Sequence, residues 1–210
     1  MIIAINNVQV GNKIINQKIE LDDIVCLIGK NGSGKTSILR LISGTYMPSI
    51  GSISVNDTDY HLDIQKDKTK YFYYVKNLFF YLEDDNIFMN SDTSISDNFK
   101  YFMLLNNQNP KLFYDNFVQL CNEFQLNEPL NKEIRLLSSG SKRKVVIILA
   151  LLTSKKYLIF DEPMNHLDED SKNLFYKLIK KSKKSILIAT HDLDWVKRSK
   201  VNSIEMGKII

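Results

Sequence analysis

Residues Gly29-Lys30-Asn31-Gly32-Ser33-Gly34-Lys35-Thr36 satisfy the pattern G-x-x-x-x-G-K-[ST] at every fixed position. These residue types suit the capture of a polyphosphate. Glycines let consecutive backbone N–H groups converge on an anion, and a helix starting at the end of the loop adds partial positive charge. Lys35 then reaches the β- and γ-phosphates, Thr36 offers a hydroxyl to Mg²⁺, and Ser37 lies one residue deeper, near the α-phosphate. A second chemical element is Leu158-Ile159-Phe160-Asp161-Glu162-Pro163, a pair of acids at the exit of an apolar run. Asp161 is placed to hold Mg²⁺ through water opposite Thr36, and Glu162 to polarise a water attacking a γ-phosphate. An isolated Asp-Glu pair reads as a solvated loop. Behind an apolar strand, in a chain that also carries a phosphate loop, it reads as catalytic.

The elements that must position these groups are visible as apolar runs. Ile24-Val25-Cys26-Leu27-Ile28 precedes the loop and is apolar at every position, as in a strand buried on both faces of a parallel sheet. Tyr157-Leu158-Ile159-Phe160 and Ile186-Leu187-Ile188-Ala189 repeat the pattern. Ligands of open α/β sheets bind beyond the carboxyl ends of such strands, where the loop and the acids fall. Ile38, Leu39, Leu41 and Ile42 give a helix after the loop, with Gly44 at its stop. Residues 145–152 and the stripe Leu174, Leu178, Ile179 mark further helices. The short β-branched stretches at 2–5, 8–10, 14–15 and 19–21 suit antiparallel strands joined by tight turns. From about 81 to 139 such stretches are missing, and Pro110 and Pro129 divide the segment into helix-length pieces. Phe99, Phe102, Met103 and Phe113, Phe117 fit the cores of those helices. The fold expected is α/β: a P-loop NTPase core, mostly parallel sheet with an N-terminal antiparallel part, plus an inserted α-helical subdomain. One domain over 1–210 is expected, its core at 1–80 and 141–210 and its helical part at about 81–140.

Composition narrows the function classes. With 44% hydrophobic and 25% charged residues, the chain is neither disordered, collagenous nor a coiled coil. A net charge of +4 is too small to argue for nucleic acid, and Lys177, Lys180, Lys181, Lys183 and Lys184 read as a solvated helix face. Cys26 and Cys121 form no CxxC pair and read as reduced thiols. His61, His166 and His191 lack metal-ligand spacing, so no structural zinc is expected. The first residues carry no basic stretch of the signal-peptide kind. The longest apolar run, 145–152, falls short of the roughly 18 residues of a membrane helix. No direct membrane insertion is expected.

Beyond the two nucleotide motifs, Leu137-Ser138-Ser139-Gly140-Ser141 resembles the signature sequence of ATP-binding-cassette (ABC) ATPases and lies upstream of the Asp-Glu strand, as in that family. Asn165-His166-Leu167-Asp168 resembles the family's loop after the carboxylates, and Thr190-His191-Asp192 its switch histidine. Ser49-Ile50-Gly51-Ser52-Ile53 and Glu205-Met206-Gly207-Lys208-Ile209-Ile210 are similar to family patterns too, so the likeness covers essentially the whole chain. It implies ATP as substrate, Mg²⁺ as cofactor, and two cassettes packed head to tail as homodimer or heterodimer. Each ATP would be held by one phosphate loop and by Ser138, Ser139 and Gly140 of the other chain. His191 would contact the γ-phosphate, and Asp168 would tie the two sites together. The helix after Gly140 would aim its N-terminal dipole at that phosphate.

Three departures from the family stand out. Its glutamine loop, which touches Mg²⁺, is matched by Glu83, counting back from Ile87-Phe88, with Asp84 as the competing placement. A carboxylate there ligates a cation and adds negative charge beside the γ-phosphate. Ser139 and Ser141 replace the family's glycine and glutamine. No Phe, Tyr or Trp precedes Tyr46, so adenine would rest on aliphatic side chains such as Val10 or on a partner. The resemblance implies the ATPase subunit of a transporter, peripheral on the cytoplasmic face of the membrane, driving a separate transmembrane permease that docks on the helical part. The compact chain looks more like exporter than importer subunits. A soluble cassette ATPase of translation, cofactor assembly or repair is the alternative, and a degenerate ATP-binding regulatory module a third.

Overall fold

The computed structural model describes residues 1–10, 12–46, 48, 50–56, 58–59, 75, 77–84 and 88–206. Ser49, His61, Ile87 and residues 207–210, named above, lie outside them. Contacts divide the chain into two compact units, the first Met1–Tyr81, Lys155–Glu162 and Lys184–Ile210, the second Leu82–Ser154 and Pro163–Lys183. The second unit thus takes in residues 141–154 and 163–183 as well as the middle of the chain.

Two sheets build the first unit. Strands β1 (Ile2–Val10), β2 (Lys13–Glu20), β4 (Ser52–Val55) and β5 (Thr58–Asp59) form an antiparallel sheet in the order β2-β1-β4-β5. Strands β3 (Ile24–Ile28), β6 (Phe79–Leu82), β7 (Tyr157–Asp161), β8 (Ser185–Thr190) and β9 (Asn202–Glu205) form the other, in the order β6-β7-β8-β3-β9. β3 pairs in parallel with β8 and with β9, and β7 pairs in parallel with β8. Burial agrees with the apolar runs: all of β8 is buried, as is β3 up to Ile28. Helix α1 (Lys35–Ser43) turns Ile38, Leu39, Leu41 and Ile42 into the core between the sheets. It ends at Gly44, whose left-handed φ of 75° places its N–H on the Leu41 carbonyl. β6 and β9 were not legible in the sequence.

The second unit is helical. Its helices are α2 (Ile95–Leu105), α3 (Pro110–Glu123), α4 (Ser139–Leu152) and α5 (Glu169–Lys181). Each is capped by a side chain that accepts a backbone N–H, Ser94 from Asp97, Asn109 from Lys111, Ser138 from Ser141 and Asp168 from Ser171, and Pro110 occupies the first turn where a missing N–H is harmless. Phe99 of α2 stacks on Phe117 of α3 with ring centroids 4.2 Å apart. Six consecutive residues, 145–150, are buried, as in a helix apolar on every side that lies inside a molecule. Two expected helices are adjusted. α4 starts at Ser139, six residues before the apolar run, because Ser138 caps it. On α5 the buried face is Phe175 and Ile179, with Leu174 and Leu178 half-buried beside it. Among the described residues no helix is long and apolar enough to cross a membrane. A short helix of the first unit, α6 (Leu193–Ser199), is capped by Asp192.

Candidate functional site

In the first unit, β3 delivers the chain into the loop 29–34 and α1 leaves it. Gly29 is pressed so closely against the strand end that a Cβ would lie 2.4 Å from the Met206 carbonyl oxygen and 2.8 Å from Ser33 Oγ. Gly34, at φ 97°, turns the loop into α1 in a conformation that side chains rarely adopt. Lys35 is 6% exposed, and its Nζ donates to the carbonyl oxygens of Gly29, at 2.8 Å, and Lys30, at 3.4 Å. The ammonium is therefore already fixed over the loop. Ser33 Oγ is buried with no hydrogen-bond partner among the described residues. A buried hydroxyl left in that state costs roughly 1–3 kcal/mol, a deficit that a phosphate oxygen removes. Lys30 and Asn31 are exposed, and Gly32, Ser33, Thr36 and Ser37 half-exposed or exposed, along this open side of the loop.

Asp161 and Glu162 close the same unit at the end of β7. Asp161 is 2% exposed. Glu162 has a left-handed φ of 44°, a sparsely populated region for a residue with a side chain and one that collects at functional sites. Its N–H donates to the Ala189 carbonyl on β8, 2.9 Å away, which holds the turn. The carboxylate sits between two basic groups: Lys35 Nζ is 3.9 Å from Oε1, and His191 Nδ1 is 3.0 Å from Oε2. The His191 backbone N–H donates to that same Oε2 at 3.2 Å. The structure thus brings together Lys35, Glu162 and His191, residues far apart in the chain. Gly29, Lys30 and Asn31 also share a cleft of about 680 Å³ with His191, Leu193 and Glu205, within the usual range of ligand clefts.

The donor set suits a hard cation. Thr36 on the first turn of α1 and Asp161 at the end of β7 offer a hydroxyl and a carboxylate, and α1 packs against β7. Among the described residues no group of three or more His, Cys, Asp or Glu forms a self-sufficient metal cluster. Mg²⁺ fits such a sparse set, because it is usually held by one or two carboxylates, with phosphate oxygens and water completing the shell.

The second unit carries the remaining predicted residues. Ser138 Oγ accepts the Ser141 N–H at 3.0 Å, so Ser138, Ser139 and Gly140 form the capped first turn of α4. Gly140 faces the His166 carbonyl oxygen, which a Cβ would approach to 2.9 Å. Asp168 Oδ1 accepts the Ser171 N–H at 2.7 Å and Oδ2 lies 3.3 Å from Lys144 Nζ. The Ser171 backbone bond, with help from its hydroxyl and from Lys144, holds the Asp168 carboxyl down at about 2. Glu83 follows directly on β6. Asp84, its competitor for the glutamine-loop position, has its carboxylate engaged by Arg143 at 2.6 Å and by Asn165. Arg143 and Lys144 were not singled out from the sequence. A signal existed: three basic residues run together just inside the N-terminus of a helix, where cations are disfavoured and need carboxylate partners.

Known proteins resemble this chain in sequence and in fold. The ABC transporter family profile matches residues 13–165. The lipoprotein-releasing system ATP-binding protein LolD of Buchnera aphidicola (subsp. Acyrthosiphon pisum) is 29% identical over 190 residues, covering 89% of this chain and 82% of that protein. The ABC transporter ATP-binding protein NatA of Bacillus subtilis is 28% identical, over 93% of this chain and 78% of its own. The solved ATP binding subunit of an ABC transporter superposes with a TM-score of 0.77 at 22% identity, covering 95% of this chain and 83% of that one. A bacterial ABC transporter cassette solved as a dimer gives 0.70 at 19%, covering 98% and 95%.

Proposed function

Given that this chain belongs to the ABC transporter family, whose cassettes bind and hydrolyse ATP, we propose that it powers transport through a separate transmembrane permease. In this reading the triphosphate lies along residues 29–37, with Lys35 at the β- and γ-phosphates. Thr36 and Asp161 would hold Mg²⁺, which when bound would neutralise phosphate charge. Glu162 is the general base that orients water for attack on the γ-phosphate, and His191 contacts that phosphate. Ser138, Ser139 and Gly140 of a second cassette complete the site, as a capped helix N-terminus suits an anion. The observation that carries the reading is the Glu162 carboxylate, held in a strained turn between Lys35 and His191.

The permease is read onto the second unit. Phe88, Tyr101, Leu104, Leu105, Leu112 and Tyr114 are exposed there, and Phe88, Tyr101 and Leu104 line a cleft of about 610 Å³. Apolar side chains gathered in this way mark an interaction surface. Docking on a permease places the chain on the cytoplasmic face of the membrane. Similarity to a lipoprotein-releasing subunit favours export. The test is Glu162→Gln. Loss of a positioned base costs about 10²–10⁴-fold in turnover, so the variant binds ATP, forms an ATP-dependent dimer and turns over at least about a hundredfold more slowly. Turnover close to wild type would overturn the assignment of Glu162, and a monomer at saturating ATP would overturn the two-cassette site.

A further inference from the structure

Three segments of the second unit meet at one carboxylate. Asp84 lies two residues beyond β6, and its Oδ1 accepts from Arg143 Nη2 at 2.6 Å. The same Nη2 donates to the Asp84 carbonyl oxygen at 2.7 Å, so Arg143 grips both side chain and backbone of that residue. Asn165 Nδ2 donates to both carboxylate oxygens at 3.0 Å. Arg143 is buried, while the Asp84 side chain is 32% exposed. These contacts join residues 59 and 81 positions apart in sequence.

What Asp84 is fastened to gives the contact its meaning. Arg143 stands one turn inside α4, the helix opened by Ser138 and Gly140. Asn165 begins the loop that ends at the Asp168 cap of α5. The adjacent Lys144 pairs with Asp168, and Gly140 admits the His166 carbonyl at close range. The α4 turn and the 165–168 loop are therefore in contact through Lys144 and Gly140, and Arg143 and Asn165 each tie their own segment to Asp84. Glu83 is covalently next to Asp84. A shift of Glu83 carries the Asp84 carbonyl with it, and Arg143 holds that oxygen directly.

We propose that Asp84 is a positioning residue for ATP-driven closure, transmitting the placement of Glu83 to the Ser138–Gly140 turn that meets the second cassette's nucleotide. This rests on the two-cassette reading above. Asp84→Asn is nearly isosteric but removes the charge and presents an amide to the Asn165 amide. Charge-assisted hydrogen bonds are the strong ones, so the effect is large. In the Glu162→Gln background, sedimentation with ATP is expected to show dimerisation weakened about tenfold or more. Capture of a fluorescent ATP analogue by the monomer, which reports on the phosphate loop, stays within about twofold. With Glu162 present, kcat falls about tenfold or more with KM nearly constant, and Asp84→Glu restores part of it.

Dimerisation of Asp84→Asn as tight as its parent overturns the proposal alone. Failure of the Glu162→Gln parent to dimerise overturns the two-cassette reading and the proposal with it. Should Asp84→Asn fail to fold, Arg143→Lys keeps the cation and loses the fork geometry. The same split between analogue capture and dimerisation supports the proposal, and a parallel loss of both overturns it.

Discussion

Replacing Asp168 with alanine separates the part this residue plays inside its own unit from any part it plays in a dimer. Its Oδ1 caps α5 through Ser171, and its Oδ2 faces Lys144. An N-cap is worth about 1 kcal/mol, and an ion pair open to solvent about 0.5, giving roughly 1.5 kcal/mol in all. The same two contacts hold the Asp168 carboxyl down at about 2, below its ordinary 3.8, and with the side chain 61% exposed solvent screening keeps the stabilisation on the order of 1 kcal/mol.

The sign follows from the lowered value in the folded state. The stabilisation is complete above the unfolded value near 4, about half gone by pH 3, and lost below about pH 2. Denaturant unfolding of wild type and Asp168→Ala at pH 7 and at pH 3 measures this directly. The expected gap is about 1.5 kcal/mol at pH 7 and clearly smaller at pH 3. Asp168→Asn, which keeps a capping oxygen, is expected to cost only about 0.5 kcal/mol at pH 7. A gap unchanged between the two pH values, or an alanine variant as stable as wild type, would refute the capping role.

Three further outcomes are expected. Gly29→Ala puts a Cβ 2.4 Å from the Met206 carbonyl, a backbone clash in a core strand end. It lowers unfolding free energy by about 2 kcal/mol or more and abolishes ATP capture, readable by melting and analogue binding. Lys35→Met keeps the stem and removes the ammonium, and binding of the analogue is lost. Burial pushes the thiols of Cys26 and Cys121 up to about 12. A disulfide-exchange reagent at pH 8 therefore labels neither in the native protein and both in denaturant.

The parallel strands were readable because burial on both faces leaves no position for a polar residue. β3, β7 and β8 are such runs. β9 gave no such signal: its pattern is almost wholly exposed, and it joins the sheet through backbone bonds to β3 alone. β1 reads as two pieces in the sequence because Asn6 and Asn7 interrupt the β-branched run; the structure keeps one strand with a register shift between Ile5 and Val8, where Asn7 takes a left-handed φ. The phosphate loop and the two acids were legible as fixed spacings. The clamp on Glu162 was not, since His191 and Lys35 approach it only once β8 lies beside β7 and β3. Arg143 and Asp84 are 59 positions apart, and no local pattern announces a contact across that span.

The Lys35 ammonium resting on the Gly29 and Lys30 carbonyls has a thermodynamic consequence. In the proposed site, nucleotide arrival would exchange one set of oxygens for another and would not recruit a solvated cation. Much of the desolvation is completed when the polypeptide folds, so little of it is charged against each encounter. Affinity at this point is the difference between peptide and phosphate oxygens as acceptors. A lysine so placed would favour a negatively charged ligand over a neutral one of the same shape.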